Sequence, residues 1–523
     1  MVSRGVIEKS KYIHWFKLIT IYIAVFAITH WYLSYYRDML YALSADEGIF
    51  LYGAKRVLDG QIIYRDFFSH FFPGNYYLLA LIYKMFGYSF TVARETAIII
   101  DSLINVMVFY LSYKAFKAWY AIIPPLFFMI LGFPNWIQFS HFWTSELFFL
   151  LSLIFFLWYL EQDKRYYLYL SGFLIGITTL FLQMPGLYGG ILLLMLLFVL
   201  KFHNKDLWKL AINFTISAAV PLIIVFGYLE IKGAFLESIK QQVFVIFNTY
   251  PKTFAFNPLD FIFKGIYPLS IFIGVYFFGS ILTLIYFVVF NKHTRNITGI
   301  IITGNMVLFL TIVYSMDLEH LLPNIPLFLI MIILPFKGLL DYTKQHSIPL
   351  YKVFYYLFGT IAVISIIWSL ISIRSNINRI NTQAFHININ GTPLWTFNEK
   401  QAWEIKEFFP KVEEDLHGEK NVFVYPYCPL VYSFLELNNP AFTDMIPTVM
   451  DVPDYGRYSF NRAVQELIKN KTRYIIYCNW PEHYTQMLLA LNKRQYKKNV
   501  MDLFVENNYF PLFRINDLIL YKR

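Results

Sequence analysis

Long apolar segments constrain this chain more than any other feature. A helix needs about 20 apolar residues to cross about 30 Å of hydrocarbon. Segments of this kind recur from near the N-terminus to about residue 373 and then stop. Only 15% of the 523 residues are charged and 57% are hydrophobic, which is too little charge for the surface of a water-soluble protein. We therefore predict a polytopic α-helical membrane protein with about eleven spans, at 18–36, 93–113, 118–134, 142–160, 167–182, 186–200, 210–229, 268–290, 297–316, 323–336 and 353–373.

Two of these windows leave the count open by one or two spans. The fifth and sixth are short, and only residues 183–186 separate them, so they can also form one kinked unit. The basic start of the chain followed by an apolar run resembles a signal peptide, but residues 29–32 (Thr-His-Trp-Tyr) lead poorly into a small-residue cleavage site. We expect an uncleaved first span.

The distribution of Lys and Arg predicts the orientation, because cytoplasmic connections carry the excess of these residues. The connections 135–141, 183–186 and 317–322 contain neither residue. The N-terminal tail and the alternate connections are basic, which places the N-terminus in the cytoplasm and the C-terminus outside, in the plasma (inner) membrane. The same pattern accounts for much of the net charge of +10 without a nucleic-acid partner. The basic residues are Arg4, Lys9, Lys11, Lys17, Lys114, Lys117, Lys164, Arg165, Lys201, Lys205, Lys209, Lys292, Arg295, Lys337, Lys344 and Lys352.

The last part of the chain, 374–523, has a different character from the transmembrane domain, 1–373. Charges become frequent and apolar runs shorten to strand length. Strands that alternate with helices predict a small exoplasmic α/β domain. We expect helices at 399–412 and 461–470, strands at 421–425 and 473–477, and a terminal hairpin within 511–521.

The chain has two cysteines, Cys428 and Cys478, and each follows one of the two central predicted strands. Neither belongs to a zinc or redox motif. If the two strands are neighbours, an oxidising compartment permits a disulfide between them. Two separate thiols are the other reading.

The first predicted outer loop, 37–92, holds a cluster of acidic residues at the membrane surface. Ser44 and Glu47 have the spacing of a capping box, which predicts a helix with Ser44 as its N-cap and a stop at Gly60. Apolar residues at helical spacing indicate an amphipathic helix along the outer membrane surface. Pro73 precedes a second predicted helix, 74–86.

Asp46 and Glu47 differ in what they can do in this helix. Glu47 can serve the cap and the helix dipole alone. Since Ser44 and Glu47 already satisfy the cap, the Asp46 carboxylate can point into a cleft. Taken alone, Asp46 is as readily structural as functional.

The ordered set of motifs around this loop resembles the GT-C superfamily of membrane glycosyltransferases. It is most similar to the bacterial branch related to protein O-mannosyltransferases and the aminoarabinose transferase of lipid A. The similarity covers residues 18–115, and segments 183–186 and 319–326 resemble later family loops more weakly. The motifs are Asp46-Glu47 after the first span, Gly60, Tyr64-Arg65-Asp66, Pro73-Gly74-Asn75-Tyr76-Tyr77, Phe86-Gly87 and Arg94.

The resemblance implies a transferase that takes a sugar from a polyprenyl-phosphate carrier to a lipid, protein or glycan acceptor outside the membrane. Asp46 matches the family's catalytic aspartate in the first loop. The chain departs from the aminoarabinose branch where an acid-Lys-Pro-Pro motif is expected, because residues 69–73 read Ser-His-Phe-Phe-Pro. His70 can fill a phosphate-facing role there, and the missing lysine puts the same donor in doubt. The Trp-Trp-Asp motif of oligosaccharyltransferases is absent.

Sugar transfer from a lipid phosphate needs a base for the acceptor hydroxyl and positive charge or donors for the departing phosphate. We expect Asp46 to be the base in one in-line, inverting displacement. Arg65 and His70 are the expected phosphate-side residues, with Arg94 in reserve. Asp66 can assist Asp46 or pair with Arg65. A divalent metal on Asp46 with Glu47 or His70 is also compatible with these ligands.

Further ionisable residues lie in or near the predicted spans. Asp101 lies in mid-span, where a charge needs a partner, and Asn105 one turn later is the expected one. Glu146 lies near the outer end of its span and can line the acceptor side of the cleft. His320, in an outer loop with Asp317 and Glu319, is a further candidate for substrate binding.

Two other functions compete with the transferase. A transporter or flippase would use the same spans as a pathway, with Asp101 as its best support, but no internal repeat is evident. A family member without activity would bind polyprenyl phosphate and release no sugar.

Overall fold

The computed structural model describes residues 2–43, 46–136, 138–248, 279–283, 295–312, 321–444, 460–478 and 500–523. Helices dominate up to Gln383, and strands appear only after it. The helices are α1 (Val2–Ser34), α2 (Glu47–Leu58), α3 (Gly74–Phe86), α4 (Phe90–Phe116), α5 (Ile123–Leu131), α6 (His141–Gln162), α7 (Arg165–Phe181), α8 (Gln183–Leu200), α9 (Leu207–Ile231), α10 (Phe235–Asn248), α11 (Arg295–Ile312), α12 (Ile325–His346), α13 (Ile348–Gln383), α14 (Glu399–Leu416), α15 (Leu430–Phe434), α16 (Phe460–Lys469) and α17 (Val500–Asn508).

The polytopic membrane fold expected from the sequence is confirmed. In the described part of the chain, seven helices are long and apolar enough to cross a membrane, and the stretches Trp119–Asn135 and Asn296–Thr311 are shorter apolar helices. Helix α7 covers the fifth predicted window. The window 268–290 lies outside the described residues except for 279–283.

The fifth and sixth windows are two helices rather than one kinked unit. Helix α7 ends at Phe181 and α8 begins at Gln183, with Leu182 extended between them. Small residues let α7 approach α9 closely: a Cβ on Gly172 would lie 2.5 Å from the Phe214 carbonyl oxygen, and one on Gly176 would lie 2.1 Å from that of Ala218. Close backbone approach at small residues is how membrane helices gain packing energy.

The C-terminal part contains the predicted α/β domain. A hairpin of β1 (Phe385–Ile389) and β2 (Thr392–Thr396) precedes α14. The main sheet has the order β3-β4-β6-β5, in which β3 and β4 are parallel and the other pairs are antiparallel. Its strands are β3 (Val422–Tyr425), β4 (Tyr474–Cys478), β5 (Phe510–Ile515) and β6 (Leu518–Lys522). Helix α13 continues to Gln383. The domain boundary expected at residue 373 therefore falls inside this helix.

The two cysteines are buried, unpaired thiols at the ends of neighbouring strands. The Cys428 and Cys478 side chains interact with one another, and burial raises the pKa of the Cys428 thiol. A buried thiol with a raised pKa is unreactive at neutral pH, because the thiolate is the reactive form.

Helix α2 is buried more completely than its amphipathic pattern predicted. It begins at Glu47, with Asp46 at the N-cap position, and the Asp46 side chain makes no capping hydrogen bond. Ser44, the predicted N-cap, lies outside the described residues. The helix is buried on almost every side because the C-terminal domain covers the face opposite the membrane helices. The amphipathic pattern marked one packed face, and the second face packs through contacts far away in sequence.

Candidate active site

Asp46 lies at the N-terminus of α2, directly after the loop that leaves α1. Its side chain is half-buried, and its backbone is helical, with φ −55° and ψ −25°. The Tyr427 hydroxyl of the C-terminal domain donates a hydrogen bond to Asp46 Oδ1. The carboxylate is therefore held between the membrane domain and the C-terminal domain.

Glu47 and Arg94 form a buried ion pair beside Asp46. Arg94 Nε donates to Glu47 Oε1 at 2.5 Å and Nη2 donates to Oε2 at 2.6 Å, and both side chains are at most 1% exposed. The backbone N–H of Phe139 donates to Glu47 Oε1 at 2.8 Å, and the Phe90 ring lies 4.6 Å from the guanidinium carbon. This pair ties α2 to α4 and to the segment before α6.

The opposite side of α2 packs on the segment 427–444 of the C-terminal domain. A Cβ on Gly48 would lie 2.4 Å from the backbone nitrogen of Leu430, so only glycine fits there without displacing backbone. One turn later the Tyr52 ring stacks on Tyr432, with 4.6 Å between centroids. Arg56 forms a buried ion pair with Asp444. Helix α2 is thus fixed along its whole length.

The predicted pairing of Arg65 with Asp66 is confirmed. Arg65 donates to both carboxylate oxygens, at 2.9 and 2.8 Å, and the Arg65 guanidinium lowers the pKa of Asp66. Asp66 also accepts the backbone N–H of Ile62 at 2.7 Å. The pair lies at the surface, with Arg65 43% exposed.

His70 lies in the interior of the same loop. It is 5% exposed, and burial lowers its pKa from 6.5 to about 4. Its ring packs on Phe71, with centroids 4.0 Å apart. Helix α10 closes over this part of the loop, because Gln241 donates to the Tyr64 carbonyl at 2.7 Å and Gln242 donates to the Tyr64 hydroxyl at 2.6 Å.

Glu146 and Asp101 are buried between α4 and α6. Each is 1% exposed, and they interact electrostatically. Both Glu146 carboxylate oxygens and Asp101 Oδ1 have no hydrogen-bond partner among the described residues. The expected partnership of Asp101 with Asn105 is wrong, because the Asn105 amide donates to Thr29 Oγ1 at 2.8 Å.

Two further expectations are a role for His320 in substrate binding and a divalent metal at the site. His320, Asp317 and Glu319 lie outside the described residues. Within the described ranges no three His, Cys, Asp or Glu side chains are grouped as a metal site would require. Glu47 does not fit as a metal ligand, since Arg94 and the Phe139 N–H occupy its oxygens.

Sequence reasoning missed Tyr427 and its surroundings. Tyr427 and Asp46 are 381 residues apart, and Arg56 and Asp444 are 388 apart. No local pattern joins residues at such a separation. Gly48 was the one signal available, because a glycine inside a helix often marks a close packing contact.

Comparison with solved structures finds similar folds at low sequence identity. Two structures of ArnT from Cupriavidus metallidurans, one bound to undecaprenyl phosphate and one in the apo state, match with TM-scores of 0.60 and 0.57. Each is 12% identical, and the alignment covers 96% of this chain and 97% of ArnT. An Archaeoglobus fulgidus oligosaccharyltransferase in complex with Zn and sulfate matches with a TM-score of 0.47 at 12% identity, covering 95% of this chain and 73% of that one.

The sequence itself matches no family model and no curated relative. At 12% identity the ArnT likeness shows a common fold. The expected structural resemblance to the GT-C superfamily is confirmed.

Proposed function

We propose that this protein is a membrane-embedded glycosyltransferase that moves a sugar from a polyprenyl-phosphate donor to an acceptor hydroxyl at the outer membrane face. The observation that carries the proposal is the position of Asp46. Its half-buried carboxylate lies at the N-terminus of α2, after the loop that follows α1, and buried contacts on both sides fix this helix. The ArnT fold, seen with undecaprenyl phosphate in the Cupriavidus metallidurans protein, supports a lipid-linked donor.

Asp46 acts as the general base in this proposal. The acceptor oxygen forms a bond to the anomeric carbon while its proton passes to the Asp46 carboxylate. The bond between the anomeric carbon and the phosphate oxygen breaks, and its electron pair leaves with the polyprenyl phosphate. A single displacement of this kind inverts the anomeric configuration.

The departing phosphate needs positive charge or hydrogen-bond donors. The charge of Arg94 is compensated by Glu47 in the protein interior, so we assign this pair to holding α2. His70, whose pKa is about 4, is neutral at pH 7 and can offer an N–H but no charge. Arg65 is the strongest phosphate-side candidate, because its pair with Asp66 is exposed and can exchange one anion for another.

The contacts of α2 are compatible with the proposed orientation. The first outer loop and the C-terminal domain contact one another through α2, so both lie on the same side of the membrane. With the N-terminus in the cytoplasm of a cell with an inner membrane, that side is the exterior. Glu146 and His320 remain proposed acceptor-side residues.

Replacement of Asp46 by Asn tests the proposal. We expect cells that carry the wild-type gene to gain sugar-modified surface lipids or glycoproteins over gene-deleted cells, as measured by mass spectrometry. Asp46→Asn should remove the modification at an unchanged membrane level of the protein, since an amide cannot accept the proton. The matched control is Asp59→Asn at the exposed end of the same helix, and we expect it to behave as wild type. Full modification with Asp46→Asn would overturn the proposed base.

The transporter alternative rests on one observation, the buried carboxyl groups of Asp101 and Glu146. Ionisable groups inside membrane segments often line a transport pathway. A transporter would move its substrate across the membrane with Asp46→Asn as well as with the wild type. The same pair of strains therefore separates the two functions.

A further inference from the structure

Tyr427 belongs to the C-terminal domain and yet touches the proposed base of the membrane domain. It follows β3 by two residues and is half-buried. Its hydroxyl donates a hydrogen bond to Asp46 Oδ1. We infer that Tyr427 is a positioning residue for Asp46, so that the C-terminal domain completes the acid–base site; the inference rests on the proposed function.

The segment that carries Tyr427 is firmly held. Immediately after it, Cys428 is buried and its carbonyl accepts the Val431 N–H at 3.0 Å, which starts α15. The Tyr432 hydroxyl accepts the backbone N–H of Val424 at 2.9 Å, which ties α15 to β3. A side chain between two such anchors keeps its position relative to the sheet.

The same segment is fixed against the helix of Asp46. The backbone at Pro429 and Leu430 leaves no room for a Cβ at Gly48, and Tyr432 stacks on Tyr52. The Tyr52 hydroxyl accepts the backbone N–H of Asn439 at 2.7 Å. Because the phenol and the carboxylate are each on a fixed backbone, the hydrogen bond sets the rotation of the carboxylate.

The hydrogen bond has two consequences for a base. It orients the carboxylate toward the acceptor, and orientation alone is a large part of catalysis by a positioned group. It also stabilises the ionised form over the protonated one, because the phenol is a donor. Tyr427 therefore keeps the Asp46 carboxylate ionised, and so able to accept a proton, at a lower pH than in a protein without the phenol.

Other ionisable groups around Asp46 do not replace this interaction. On α2 and α4, Glu47 and Arg94 compensate one another. On α3, Tyr76 interacts electrostatically with Asp46, but its hydroxyl is 2.9 Å from Ser69 Oγ and burial raises its pKa. The Tyr427 hydroxyl, by contrast, donates a hydrogen bond directly to the Asp46 carboxylate.

The test compares Tyr427→Phe with Tyr474→Phe in the full-length protein reconstituted in lipid. Tyr474 donates to the Asp415 carbonyl at 3.1 Å inside the same domain and serves as the matched control. The first measurement is an infrared pH titration of the Asp46 carboxyl stretch, identified by its loss in Asp46→Asn. It needs no substrate. We expect Tyr427→Phe to move the midpoint up by about one pH unit and Tyr474→Phe to leave it unchanged.

The second measurement is the rate of undecaprenyl phosphate release from a panel of undecaprenyl-phosphate hexoses and pentoses. We expect Tyr427→Phe to lower kcat about tenfold with little change in KM, and to shift the acid limb of the rate profile upward. An unchanged titration midpoint and rate in Tyr427→Phe would overturn the inference and leave the transferase standing. If no donor is turned over by the wild type, the proposed function fails, while the titration still decides whether Tyr427 acts on Asp46.

Discussion

At the scale of single residues, burial decides what each charged side chain near the site can do. Glu47 and Arg94 are enclosed and their charges compensate one another, so removing either leaves a buried charge without a partner. Such a loss costs about 3–5 kcal/mol. Arg65 and Asp66 pair at the surface, where a salt bridge is worth about 0–1 kcal/mol. The first pair is suited to holding a helix and the second to exchanging partners.

His70 makes the stability of the protein depend on pH. Burial lowers its pKa from 6.5 to about 4, so in the pH range between these values the unfolded chain binds a proton that the folded chain does not. The contribution is complete above pH 6.5 and is lost as the pH falls toward 4. Between pH 7.5 and 4.5, we expect the free energy of unfolding of His70→Gln to fall by about 2.5 kcal/mol less than that of the wild type, measured by thermal unfolding in detergent. His346→Gln, at an exposed histidine, should follow the wild type; equal pH dependence in all three would contradict the prediction.

At the scale of elements, α2 is where the two domains meet, and Gly48 is a point of close backbone contact between them. A methyl group there would lie 2.4 Å from the Leu430 nitrogen and 2.8 Å from the Pro429 carbonyl carbon, both backbone atoms. We expect Gly48→Ala to destabilise the protein by about 1–3 kcal/mol and to make the C-terminal domain more sensitive to limited proteolysis.

A glycine in open space provides the control for that substitution. Gly227 lies inside α9 with nothing within 4 Å of a Cβ. Gly227→Ala should therefore be neutral or slightly stabilising, because alanine is the better helix former. Equal melting temperatures for Gly48→Ala and Gly227→Ala would show that the domains separate freely at this contact.

The sequence predicts correctly those elements that depend on local patterns of residues. Long apolar runs predict the membrane helices, Pro73 and Gly87 delimit α3, and apolar runs of strand length predict β3 and β4. These signals act over one helix or strand. They do not tell which faces meet, so the sequence predicts one packed face of α2 and gives no sign of the second.

The residues of the candidate site show the same difference between local and long-range information. Asp46 and the neighbouring loop motifs are contiguous, and the family resemblance could mark them. The pairing of Arg65 with Asp66 follows from their being adjacent. Tyr427 and Asp444 reach α2 only through the folded position of the C-terminal domain, which sequence spacing does not encode.

At the scale of the whole molecule, the fold makes one functional unit of two parts that differ in composition. In the proposed reaction, the first loop supplies the base Asp46, and the C-terminal domain supplies the Tyr427 phenol that contacts it. The first loop and the C-terminal domain must therefore lie on the same side of the bilayer. The transmembrane orientation is then a necessary condition for the proposed chemistry, and it can be measured directly.

Accessibility of introduced cysteines tests that orientation. Lys406 is exposed on α14 of the C-terminal domain, and Lys164 is exposed between α6 and α7 on the predicted cytoplasmic side. The native Cys428 and Cys478 are buried, so they should give little background labelling. In intact cells a membrane-impermeant maleimide should label Lys406→Cys and leave Lys164→Cys unlabelled, and permeabilised cells should label both. The reverse pattern would place Asp46 and Tyr427 on the cytoplasmic face, because α2 and the C-terminal domain are in contact. Acceptor and donor would then have to meet inside the cell.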